Sequence, residues 1–224
     1  MRRKSTTKLP DPTQRGYGEL QKSGRTRKQI LEAAMGLLAE HGYAEFGAGA
    51  VAKRAGLTRA ALIYHFSNRA ALLEATVHFV TRRRIAKFLK AIEEVPQDER
   101  FVSEGMKVAW NYLQGEAFLA FCQLSTAAKT DPELNAVFEP ALMEFDRARR
   151  AAAQSLFPEE FKSSPSFDLR RDLVRFTLEG LAQQGGLSFD AEKRRKSIIR
   201  ILQLLTQTEE GQALLARAVE ESEL

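Results

Sequence analysis

The side chains best suited to chemistry in this 224-residue sequence are hydrogen-bond donors, not nucleophiles. Its three histidines, His41, His65 and His78, stand 24 and 13 residues apart, which matches no helical ligand pair. The single Cys122 brings no second cysteine to a zinc site. No glycine-rich phosphate loop follows a strand, and no G-x-S-x-G elbow occurs. Catalysis, a metal and a cofactor are therefore not expected. The informative stretch is Ala52-Lys53-Arg54-Ala55-Gly56-Leu57-Thr58-Arg59-Ala60-Ala61-Leu62-Ile63-Tyr64-His65-Phe66. In it, Arg59 has the forked donor geometry that pairs with guanine, a contact worth about 1–3 kcal/mol of discrimination between bases. Tyr64, and Arg69 just beyond, suit phosphate oxygens, which fix register without reading sequence. Ala60 and Ala61 are small enough to let a backbone approach base edges. His65 is expected on the packing or phosphate side of the same segment.

Such donors are useful only on a rigid, exposed support, and the same stretch supplies one. Small Ala52 permits close helix packing, Gly56 takes the positive φ of a tight interhelical turn, and Leu57 plugs the space beneath it. Thr58 is a suitable N-cap for a second helix. Leu62 and Phe66, four apart, share that helix's buried face. Two short helices are predicted at about 48–55 and 58–65. Upstream, Thr26 and Gln29 have capping-box spacing, and Ile30, Ala34, Leu37 and Leu38 form one apolar stripe, so a first helix is predicted from Thr26 to His41, ended by Gly42. Tyr43 and Phe46 are expected to fold back onto the small core. Ser67 is predicted to cap a long helix that runs to about Val95 and stops at Pro96. Further helices are predicted at about 98–113, 116–128, 132–157, 167–187, 191–206 and 209–221, which makes the fold all-α.

Residues 26–80 resemble the DNA-binding domain of the TetR family of regulators. The matching segments are Arg27…Ile30-Leu31-Glu32-Ala33-Ala34, Leu38-Ala39-Glu40-His41-Gly42-Tyr43, Val51 to Thr58, and Ala61 to Leu73. The resemblance implies an N-terminal three-helix helix-turn-helix domain at 25–69 and a C-terminal helical bundle at 70–224 for dimerisation and ligand binding. It implies a homodimer on a double-stranded DNA operator with two-fold character, released by a small-molecule effector. The DNA-binding residues then become Thr26, Gly47, Thr58, Arg59, Ala60, Ala61, Tyr64, His65 and Arg69. Some positions depart from the family pattern. Phe46 and Gly47 stand where a Thr/Ser cap is common, Gly49 where a basic residue is common, and Ile63 where an aromatic phosphate contact is usual. Arg69 replaces a customary lysine and keeps its charge.

The C-terminal two thirds carry no motif of that strength. Trp110, Phe118, Phe121, Cys122, Phe138, Leu142 and Met143 lie on consecutive predicted helices. Core packing accounts for each of them singly, and the resemblance adds the expectation of an apolar effector pocket. Leu169, Leu173, Phe176 and Gly180 repeat at helical spacing, as do Ile198, Ile201, Leu202 and Leu205. In family members the corresponding helices pair across the two-fold axis, while burial within the monomer is the other reading. The basic runs Arg82-Arg83-Arg84 and Lys193-Arg194-Arg195-Lys196 are expected to be solvated faces.

Charge distribution agrees with a nucleic-acid-facing front end. The net charge is +5, but residues 1–69 hold 13 Lys/Arg against 5 Asp/Glu (+8), and the remainder is −3. Residues 1–24, rich in Pro, Gly, Ser and Thr, read as a disordered basic arm. No signal peptide or membrane span is expected, and a reducing cytoplasm suits a lone cysteine. A sequence-indifferent architectural DNA protein is the alternative reading, although the acidic back end is unnecessary for coating DNA.

Overall fold

The computed structural model describes residue 13 and residues 21–96, 103–157, 159–184 and 190–222. The basic arm therefore lies almost wholly outside the described residues. The described chain is helical, with no strand. The helices are α1 (Gln21–His41), α2 (Ala48–Arg54), α3 (Arg59–His65), α4 (Arg69–Glu93), α5 (Ser103–Leu113), α6 (Glu116–Ala128), α7 (Pro132–Leu156), α8 (Glu159–Lys162), α9 (Phe167–Gln183), α10 (Ala191–Gln207) and α11 (Glu209–Ser222). A single 3-10 turn, Tyr43–Glu45, links α1 to α2. Compactness divides the chain into two units. One takes its described residues from Met1–Ala86 and Glu116–Ala148, the other from Lys87–Gly115 and Arg149–Leu224. The expected functional boundary at 69/70 falls inside the first unit and is not a boundary of compactness.

In the first unit the predicted α1 stripe is buried: Ile30, Ala34, Leu37 and Leu38 join Leu62, Phe66 and Leu72 in one core with Ala117, Ala120 and Leu124 of α6. Helix α1 opens at Gln21, five residues before Thr26, so the expected capping box does not form. Gln29 is used differently. Its Nε2 donates to the Ala55 carbonyl at 2.7 Å, and Arg27 Nη1 donates to the His65 carbonyl at 2.6 Å. Two side chains of α1 thus satisfy carbonyls that the ends of α2 and α3 leave open. Arg27 is buried, with its guanidinium 4.1 Å from the Phe66 ring centre. Arg54, at the end of α2, pairs bidentately with Glu40 of α1 at 2.8 and 2.6 Å.

The three-arginine run is not uniformly solvated. Arg84 is 0% exposed. Its guanidinium carbon lies 3.8 Å from the Phe121 ring centre, 4.5 Å from Phe145 and 5.4 Å from Phe118. The physical reason lies in register: Val77, Val80, Arg84 and Phe88 follow i, i+3, i+7, i+11 along α4, so residue 84 continues the buried stripe. Arg83 instead lies 3.8 Å from Glu32.

In the second unit Ile92, Val95 and Leu156 form a small core with Phe88, Leu89 and Val108 packed against it. Helix α11 crosses α10 at Gly211. A Cβ there would lie 2.3 Å from the Leu204 carbonyl oxygen and 2.6 Å from that of Leu205, so only glycine permits this approach. Among the described residues, no helix is long and apolar enough to cross a membrane.

Candidate nucleic-acid interface

The turn between α2 and α3 is built as the spacing predicts. Gly56, at φ +67°, is the left-handed residue past the end of α2. Gly56 N–H donates to the Lys53 carbonyl at 3.2 Å and Leu57 N–H to the Ala52 carbonyl at 2.9 Å. This paired closure stops α2 and aims the chain into α3. Thr58 then caps α3, its Oγ1 accepting from Ala61 N–H at 3.1 Å. Leu62 and Phe66 are buried, while Thr58, Arg59, Ala60, Ile63 and Tyr64 are exposed, Tyr64 at 68%. One face of α3 is anchored and the other is presented to solvent, with Arg59 at its amino end.

The remaining expected DNA-binding residues sit around this helix in different ways. Ala61 is half-buried, and its N–H is occupied by the Thr58 cap. His65 is half-buried with its ring edge-on to Tyr64 at 5.2 Å, and its carbonyl is taken by Arg27. Gly47 occupies the N-cap position of α2 and offers no side chain to cap it. Thr26 lies inside α1, not at its start. Arg69 is exposed at the first residue of α4. The cap of α4 is Asn68 instead of Ser67: Asn68 Oδ1 accepts from Ala71 N–H at 2.8 Å. Asn and Ser are comparable caps, and here the helix starts one residue later than the serine would require.

Gly49 lies exposed in α2, and nothing stands within 4 Å of where its Cβ would be. Gly49→Ala is expected to stabilise the protein by about 0.5–1 kcal/mol by removing glycine's backbone entropy. That gain corresponds to a rise of roughly 1–4 °C in a thermal melt. Gly49→Lys is expected to add one phosphate contact and steepen the salt dependence of DNA binding by about one unit. An unchanged slope would show that α2 does not face the backbone.

The seven residues expected to line a pocket are not brought together as one. Phe118, Phe121 and Phe138 do meet: the Phe118 and Phe121 rings lie 6.5 Å apart, and those of Phe121 and Phe138 5.5 Å apart. With Arg84 against them they form packed core. Leu142 is half-buried against the same core, and Cys122 is also half-buried. Met143 is 54% exposed, and Trp110 belongs to the second unit, beneath Arg195 at 4.6 Å. The second unit instead holds a cavity of about 610 Å3, lined by Lys87, Ala91 and Glu94 of α4 and Val108, Asn111 and Tyr112 of α5, among others. Its residue types give no strong sequence signal, because it is made by how α4 and α5 cross.

On the dimer candidates, Leu169, Phe176, Gly180, Ile198 and Ile201 are exposed, and Leu173 and Leu205 are half-buried. Leu202 is a correction: it is buried, because it faces into its own unit.

Comparison with known proteins agrees with this architecture. Residues 30–76 match the family model described as bacterial regulatory proteins, tetR family. An HTH-type transcriptional regulator of Mycobacterium tuberculosis is 27% identical over 191 residues, covering 83% of this chain and 95% of that protein. The HTH-type transcriptional regulator EthR of Mycolicibacterium smegmatis is 26% identical over 180 residues, covering 75% of this chain and 79% of the regulator. A TetR-family transcriptional regulator from Rhodococcus sp. shares the fold with a TM-score of 0.57 at 19% identity, covering 80% of this chain and 98% of that one. A helix-turn-helix built this way lies within the segment that matches the tetR family model, and along most of its length the chain is similar to HTH-type transcriptional regulators.

Proposed function

We propose that this regulator is a repressor that binds a two-fold operator as a homodimer and is released by a small molecule. The observation that carries the DNA reading is the one-sided burial of α3, with Leu62 and Phe66 inside and Arg59, Ala60 and Tyr64 outside. The amino end of α3 enters the major groove, Arg59 reads a guanine, and Tyr64 and Arg69 hold phosphates. Two such helices spaced by about one helical turn, roughly 34–36 Å, meet successive major grooves. The second copy joins through α9 and α10.

The effector reading is supported by the cavity beside the carboxyl-terminal part of α4. Its apolar walls (Ala91, Val95, Val108) with Lys87, Asn111 and Tyr112 among them suit an amphipathic molecule. Helix α4 is continuous from Arg69 to Glu93, so a ligand that prefers another placement of its far end biases the helix-turn-helix at its start. It does so only by the difference in its affinity for the two states.

Arg59→Ala is expected to lower affinity for a duplex selected from a random pool by about 1–3 kcal/mol and to relax the preference at one base pair of each half-site. Tyr64→Phe should weaken all sequences about equally, and both variants should keep the dimer mass. Competition by random duplex at fixed salt decides between readings. A specificity ratio near one would favour a sequence-indifferent DNA protein.

A further inference from the structure

A run of hydrogen bonds in the first unit ends on Arg69. The Tyr43 ring stacks on buried Phe46, ring centres 6.2 Å apart and planes within 9°, which makes it a fixed platform. The Tyr43 hydroxyl donates to Asp131 Oδ2 at 2.7 Å and accepts from Arg69 Nη2 at 3.1 Å. The Arg69 guanidinium carbon lies 5.4 Å from the same ring centre. Asp131 is itself anchored as the N-cap of α7, its Oδ1 accepting from Leu134 N–H at 3.0 Å.

The direction of these bonds is set by chemistry. The Leu134 N–H, and then the Tyr43 hydroxyl, hold the Asp131 carboxyl below the usual carboxylate range, so it acts only as an acceptor. Burial, and then the bond to Asp131, push the Tyr43 phenol above its ordinary value, so it keeps its proton. The phenol must therefore donate to Asp131, which leaves its lone pair for Arg69. Only one of the five guanidinium donors is engaged with Tyr43, and Arg69 remains exposed.

We propose that Asp131 and Tyr43 are positioning residues for DNA binding, holding the Arg69 guanidinium at the amino end of α4 in the pose a phosphate meets. This rests on the reading of Arg69 as a phosphate contact. A long, exposed arginine loses rotamer freedom when it is fixed on a ligand, and restraint before binding reduces that loss. Operator affinity then depends on Asp131, a residue at the α6–α7 junction and outside the helix-turn-helix.

The test uses the full chain and a duplex selected from a random pool by the wild-type protein. Dissociation constants and salt slopes are measured for Tyr43→Phe, Asp131→Asn and Arg69→Ala, and for each of the first two in the Arg69→Ala background. Phe keeps the ring stack and Asn keeps an oxygen for the α7 cap. The expected result is a loss of about three- to tenfold for Tyr43→Phe and for Asp131→Asn alone, by release of a restrained side chain, and no further loss from either once Arg69 is absent. A loss that persists undiminished in the Arg69→Ala background means a merely structural role and overturns the proposal. Tighter binding by Asp131→Asn also overturns it, because the carboxylate would then be a brake on the arginine's charge. If Arg69→Ala weakens binding and Tyr43→Phe does not, positioning fails while the phosphate contact stands. If Arg69→Ala changes neither affinity nor slope, the phosphate reading fails and the proposal falls with it.

Discussion

Phe176→Asp or Ile201→Asp is expected to yield a folded monomer whose affinity for a two-fold operator is lower by about 10²–10⁴-fold, the avidity lost when two linked half-site contacts become one. Phe176 is 61% exposed on α9 and Ile201 56% exposed on α10. Large apolar side chains standing in water at helical spacing are a natural contact for a second copy, and burying each contributes about 1.5–3 kcal/mol. A carboxylate placed there must either be desolvated without a partner or keep the two faces apart. The checks are molar mass by light scattering and DNA binding, with circular dichroism to confirm that helix content is retained. A dimer mass unchanged by both substitutions would place the two-fold contact elsewhere. Leu202→Asp is a contrasting control: because Leu202 is buried within its own unit, the same charge there should melt the protein instead of dissociating it.

The second large effect concerns Arg84. Arg84→Ala is expected to destabilise the protein by about 3 kcal/mol or more, because it opens a cavity among Phe118, Phe121 and Phe145. The corresponding fall in melting temperature is roughly 6–12 °C. Arg84→Met should recover most of that loss, since a flexible apolar chain of similar length fills the space and needs no desolvation of charge. If Met proves as damaging as Ala, then the positive charge facing three ring faces is itself stabilising, as desolvated cation–π contacts can be. A melt unchanged by Arg84→Ala would mean that the three rings close over the space unaided.

Devices that close within a few residues were legible in the sequence: the Gly56 turn, the Thr58 cap and the burial of Leu62 with Phe66 all depend on local bonding or spacing, whereas α4 ends at Glu93, two residues before the expected stop at Val95. The helix starts were less so. Thr26 has a capping pattern, yet α1 begins at Gln21, and Asn68 outcompetes its neighbour Ser67. Adjacent polar residues offer equivalent oxygens, and tertiary packing chooses between them. Arg84 was hidden by its own type, because a charged residue in a charged run reads as solvated even where its register follows Val77 and Val80. The cavity of the second unit was hidden for the opposite reason. Aromatic residues drew attention to core, while this cavity is bounded by ordinary Ala, Val, Asn and Lys side chains whose meeting depends on how two helices pack. The link from Asp131 to Tyr43 spans 88 residues and has no local signature.

Arg27 and Gln29 hold the carboxyl ends of α3 and α2 from behind, and the apolar side of α3 is sealed by Leu62 and Phe66. The solvent-facing side of α3 bears little of that stabilising load. Arg59, Ala60 and Ile63 stand on its exposed side and can therefore be exchanged with little effect on folding, so the surface that α3 shows to solvent can change its chemistry over generations while the molecule that carries it stays intact.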